Sequence, residues 1–96
     1  MKGLSKMKLN ENFLIHETSN GHILIPVSEE TKRFHGIIKL NETGYEIVSL
    51  LEKNDLSLDD LFNHFFSVYP DDDQEEIKTT ISGFINKLRE VNAIRD

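Results

Sequence analysis

The chain has 96 residues, 38% hydrophobic and 29% charged, which suits one small domain with a single thin core and is too apolar for wholesale disorder. Its net charge of −6 disfavours general affinity for nucleic acid or an anionic membrane, since both reward clustered Lys and Arg. The absence of cysteine excludes a disulfide framework, a thiolate metal site and an iron–sulfur cluster held by this chain, and fits a cytoplasmic protein.

The first residues, Met1 to Lys8, are basic, but no apolar stretch follows them, and no run of roughly 18 apolar residues occurs anywhere. Neither export nor a membrane span is expected. Residues 1–12 show no sustained period and read as a loose arm that orders only near Leu9, leaving 13–96 as a single domain. Phe13 to Thr18 and His22 to Val27 are β-rich runs around Ser19-Asn20-Gly21, and Asn-Gly is the preferred centre of a type I′ hairpin turn. With Asn20 and Gly21 as the loop, Ser19 pairs with His22, Glu17 with Leu24 and Leu14 with Val27. Alternation then places Leu14, His16, Thr18, Ile23, Ile25 and Val27 on one face, and Phe13, Ile15, Leu24 and Pro26 on the other. Both faces are more apolar than a sheet with one solvated side requires, so the second calls for a cover: the arm, a second copy of the chain, or a partner.

Ser28 to His35 is polar and charged, a loop or single helical turn ahead of a third strand at Gly36 to Leu40. That strand passes directly into a helix, marked by Ile47, Val48 and Leu51 on one face. Two start signals overlap. Asn41 can cap the first turn, with Leu40 and Tyr45 as a hydrophobic staple, or Thr43 can, with Glu46 completing a capping box. The helix runs to about Glu52 and breaks at Asn54-Asp55. A second begins at Ser57, with Asp60 in the reciprocal position of a capping box, carries Leu58, Leu61, Phe62, Phe65, Phe66 and Tyr69 as a stripe, and stops at Pro70. Asp71, Asp72, Asp73, Glu75 and Glu76 then put negative charge on the positive end of a third helix dipole. Its stripe is Ile77, Ile81, Phe84, Ile85, Leu88 and Val91. Gly83 in its interior costs about 1 kcal/mol relative to Ala and predicts close approach by another backbone. Ile94 is expected to pack back.

Three strands followed by three helices give an α+β domain of winged-helix-turn-helix type. Catalytic constellations are missing: there is no phosphate loop, nucleophile elbow or Walker sequence. His16, His22, His35 and His64 lack metal-ligand spacing, and the acidic run lacks the Gly and the final Glu of an EF-hand loop. The expectation is a protein that is not an enzyme and needs neither cofactor nor metal.

Several segments together carry a family resemblance: Pro26-Val27 before a charged loop, then Phe34-His35-Gly36-Ile37-Ile38-Lys39-Leu40-Asn41-Glu42-Thr43-Gly44, Leu50-Leu51-Glu52, Ser57-Leu58-Asp59-Asp60-Leu61, and Phe66 with Tyr69-Pro70-Asp71. Over about residues 12–95 the chain resembles the PqqD-like peptide chaperones, also called RiPP recognition elements. Leu-Asn-Glu-Thr-Gly is the most specific part. The resemblance implies a winged-helix-like domain that binds the leader segment of a ribosomally made precursor peptide and presents it to a modifying enzyme, often a radical SAM protein. It also implies where the leader sits, as an added strand on the third strand, packed against the third helix. Gly36, Ile37, Ile38, Lys39 and Leu40 would form the receiving edge, and Ile81, Phe84 and Leu88 would line the groove. Lys39 and Lys87 would meet acidic leader side chains. Ile81 and Leu88 suit the core equally well. The competing functions are a winged-helix DNA binder, which a recognition helix beginning Asp-Asp-Asp serves badly, and a dimerising scaffold, prompted by the two-sided apolar hairpin.

Overall fold

A computed structural model describes residues 6–27 and 37–95. In chain order the elements are β1 (Lys8–Leu9), β2 (Phe13–Thr18), β3 (Gly21–Pro26), β4 (Ile38–Leu40), α1 (Glu42–Lys53), α2 (Leu58–Val68), α3 (Gln74–Glu90) and β5 (Ile94–Arg95). β2, β3 and β4 form an antiparallel sheet with β3 in the middle, and the helices follow, so the α+β architecture is as expected. The loop or turn expected at Ser28 to His35 lies outside the described residues, as does Gly36.

The hairpin pairs two residues away from the expected register: Thr18 faces Gly21, Glu17 faces His22 and Leu14 faces Ile25. The turn explains the shift. Ser19 and Asn20 form its centre, neither has the positive φ that a type I′ turn demands, and Gly21 takes φ of 134° immediately afterwards. The Thr18 hydroxyl secures this shape, accepting from the Asn20 N–H at 3.2 Å and donating to the Gly21 carbonyl at 3.1 Å. A slip of two residues preserves the faces where a slip of one would exchange them. Phe13 and Leu24 are accordingly buried, while Leu14 and Val27 stand exposed on the outer face.

Each helix start has a definite cap. Asn41 resolves the ambiguity at α1, its side-chain oxygen accepting from the Gly44 N–H at 2.7 Å. Ser57 and Asp60 form the full reciprocal box on α2, at 3.0 and 2.9 Å. Asp73 caps α3 by accepting from Glu75. Inside these ends the stripes converge: Ile47, Val48 and Leu51 from α1, Leu61 and Phe65 from α2, and Ile81, Ile85 and Leu88 from α3 are all buried with Leu24 and Leu40 of the sheet.

Two further expectations need correction. The segment before β2 is packed from Met7 onward: Met7 and Leu9 are buried, β1 pairs with β5, and Met7 exchanges backbone bonds with Leu56 at 2.7 and 2.9 Å. Two buried apolar residues alternate too briefly to register as a period, and their partners lie far along the chain. Asn10, also buried, anchors this layer by donating its side-chain amide to the Asn92 carbonyl at 2.8 Å. The second correction concerns Gly83, which faces open space, with nothing within 4 Å of where a Cβ would stand.

The two glycines should therefore respond in opposite directions to the same change. Gly83→Ala should stabilise the domain by about 1 kcal/mol and raise Tm by about 4–8 °C, whereas Gly21→Ala should destabilise by about 1–2 kcal/mol because L-residues resist that φ. Thermal unfolding followed by circular dichroism measures both. Acid should expose the α2 box. Hydrogen bonds from the Ser57 backbone and then its hydroxyl hold the Asp60 carboxyl below its ordinary 3.8. A depressed folded value means a contribution that is complete well above pH 3.8 and lost as pH falls through the folded value. The stability gap between the parent and Asp60→Ala should shrink on acidification over that window.

Candidate functional site

β4 is one of the two edges of the sheet, no described residue pairs with its outer side, and its hydrogen-bonding phase follows from the hairpin. Val27 donates its N–H to the Asn12 carbonyl at 2.8 Å, so in β3 the odd-numbered residues bond towards β2 and the even-numbered ones towards β4. His22 and Leu24 therefore bond Leu40 and Ile38, their partners in the ladder. The amide and carbonyl of Lys39, between them, point away from the sheet.

A groove of about 670 Å³ lies beside this edge. Lys39, Leu40 and Asn41 wall it on one side and Phe84 and Lys87 on the other, with Thr18, Asn20, His22 and Ile23 completing the lining. Its shape depends on Gly44. A Cβ there would stand 3.1 Å from Phe84 Cζ and 3.2 Å from Asn41 Oδ1, so glycine lets the Phe84 ring press on the first turn of α1 while Asn41 caps it. The next residue, Tyr45, stacks on His22 with ring centroids 3.9 Å apart and fixes α1 to the centre of the sheet. These contacts give the Leu-Asn-Glu-Thr-Gly stretch its physical content: a buried leucine, a cap, and a seat for an aromatic ring.

Of the expected site residues, Lys39, Leu40, Phe84 and Lys87 come together across the groove. Ile37 is exposed at the start of the edge, and Ile38 is half-buried against the core. Ile81 and Leu88 belong to the core, at 1% and 0% exposure. Ile77, Phe84 and Val91 form a half-buried row one step round the helix from Ile81, Ile85 and Leu88, and hydrophobicity alone does not separate adjacent rows. His22, Ile23, Thr18, Asn20 and Asn41 were not foreseen as lining. Gly44 was the available signal, because a glycine inside a helix is costly unless something needs the space.

A second cluster ties α1 to α2. His64 Nε2 lies 2.7 Å from Glu46 Oε2, and the Tyr69 hydroxyl donates to Glu46 Oε1 at 3.4 Å. The Glu46 charge raises the phenol pKa of Tyr69. Among the described residues no group of three His, Asp or Glu side chains is placed to hold a metal ion, and no described helix is long and apolar enough to cross a membrane.

The family model described as coenzyme PQQ synthesis protein D (PqqD) matches residues 16–94. The chain belongs to the PqqD family. The match runs from within β2 to β5 and so takes in the β4 edge, the Gly44 seat and both walls of the groove. No curated protein and no solved structure matches the chain.

The seat of Phe84 should be sensitive to a single carbon. Gly44→Ala should displace the ring and cost about 1 kcal/mol net, and Gly44→Val about 2–3 kcal/mol, as overpacking does. Asn41→Ala should cost about 1 kcal/mol through loss of the cap. Urea denaturation reports the stabilities, and the aromatic proton shifts of Phe84 report its displacement.

Proposed function

We propose that this protein is a non-catalytic peptide chaperone, which takes the leader segment of a ribosomally synthesised precursor as an extra strand on β4 and presents it to a modifying enzyme such as a radical SAM protein. Membership in the PqqD family supports a peptide-binding chaperone role in general. The observation that carries the specific reading is the outward-facing backbone of Lys39 beside a groove walled by Phe84 and Lys87. Strand addition needs that combination: unpaired main-chain groups for affinity, and side-chain surfaces alternating along the strand for selectivity. β4 is only three residues long, so main-chain bonds are few and the groove must supply much of the binding energy.

Titrating the leader peptide while following amide shifts tests the site. Changes should concentrate on residues 37–40 and on α3 around Phe84 and Lys87; changes confined to α2 or the hairpin tip would remove β4 from consideration. Proline substitutions separate the two sides of the strand. Lys39→Pro deletes a donor that points away from the sheet, and should weaken leader binding at least about tenfold while the domain stays folded, as edge prolines allow. Ile38→Pro deletes a donor bonded to β3, and should cost about 3 kcal/mol or more of stability.

A further inference from the structure

We propose that the groove selects a peptide segment in which one acidic residue is flanked on both sides by apolar residues; this rests on the strand-addition reading above. The bound peptide's side-chain pattern is set by β4. In either strand direction, the residue level with Lys39 projects on Lys39's face of the sheet, beside its ammonium group. Its two neighbours come level with Ile38 and Leu40 and project on the opposite face, the one that carries buried Leu24. Leu40 and Phe84 present apolar surface there, at the groove's inner wall.

The sign of the charge is equally specific. Among the described residues no lining side chain is a carboxylate, although the chain as a whole carries −6. Lys39 and Lys87 stand on opposite walls, and neither forms an ion pair with a described residue. The groove is thus a positive concavity on an acidic molecule, complementary to an acidic side chain and repellent to a basic one. A second copy of the chain fits less well: the symmetric antiparallel pairing that bonds the two Lys39 backbones would set their ammonium groups side by side.

The test is selection from a phage-displayed library of random decapeptides on the full-length protein. Selected peptides should share Asp or Glu at one position with Leu, Ile, Val or Phe on both sides. Replacing that acidic residue by its amide in a synthetic peptide should weaken binding about threefold to tenfold, and Lys39→Glu should turn the selected residue into Lys or Arg. Peptides that shift the Lys39 amide but show no acidic preference, or a preference unmoved by Lys39→Glu, would overturn the proposed pattern and leave strand addition standing. Peptides that shift only residues outside β4 and α3 would overturn strand addition itself. If nothing is enriched and sedimentation shows a dimer that Lys39→Pro dissociates, the edge belongs to a second copy and the proposal fails.

Discussion

The contact between the Phe84 ring and Gly44 governs how the helical layer meets the sheet. α1 leaves β4 after a single residue, Asn41, so the first turn of α1 and the end of the edge strand move as one body. α3 reaches that body through Phe84, and the approach is close enough that one methyl group would intrude. Asn41 reinforces the arrangement from the other side, because its side chain occupies the space next to the same glycine and bonds its N–H. The junction therefore does two jobs with one set of atoms: it directs α1 across the sheet, and it sets the distance between β4 and α3.

That distance would not hold in a loose domain, and 96 residues leave little core to hold it. The chain compensates by closing its ends on each other. Met7, Leu9 and Ile94 are buried, each contributing on the order of 1.5–3 kcal/mol by removal from water, and Asn10 satisfies the backbone of the turn at Asn92 that brings β5 back. Asn92 takes φ of 62°, a left-handed conformation that asparagine tolerates better than most residues. The last turn of α3 is thereby fastened to the start of the chain, and Phe84 and Lys87 are carried on a helix anchored at that end.

Features encoded locally were legible in the sequence. The Ser57–Asp60 box, a cap at Asn41 as one of the two start signals of α1, the acidic start of α3 and the helical stripes each involve residues within a turn of one another, and each formed as the residue types allow. The hairpin was legible in its faces and not in its register, because period two fixes the faces while the choice between turn types rests on a small energy difference that the Thr18 hydroxyl decides. What depended on distant partners could not be read. β1 exists because β5 is there to pair with it, and Glu46 meets His64 and Tyr69 only after α1 and α2 have packed. The site divided along the same line: the edge strand and Phe84 followed from pattern and family resemblance, while the assignment of Ile81 and Leu88 to core or groove turned on a rotation of about half a residue's arc around α3.

An open strand edge invites unwanted pairing, and proteins usually shorten such an edge or place a lysine on it. β4 does both, with three residues and Lys39 at the centre. β2, the other edge, runs six residues and carries Glu17 exposed towards its end, so its charge opposes an acidic strand where β4 attracts one. On the proposed reading, the lysine that discourages β4 from pairing with a copy of itself is also the one that would accept an acidic peptide. Protection and the proposed recognition would impose the same requirement on one residue, because a positive charge at the centre of an edge repels its own kind for the reason that it attracts the opposite one. Selectivity between the sheet's two edges would then need no additional pocket: α3 faces β4 across the groove through Phe84 and Lys87, and the sign of the charge would do the rest.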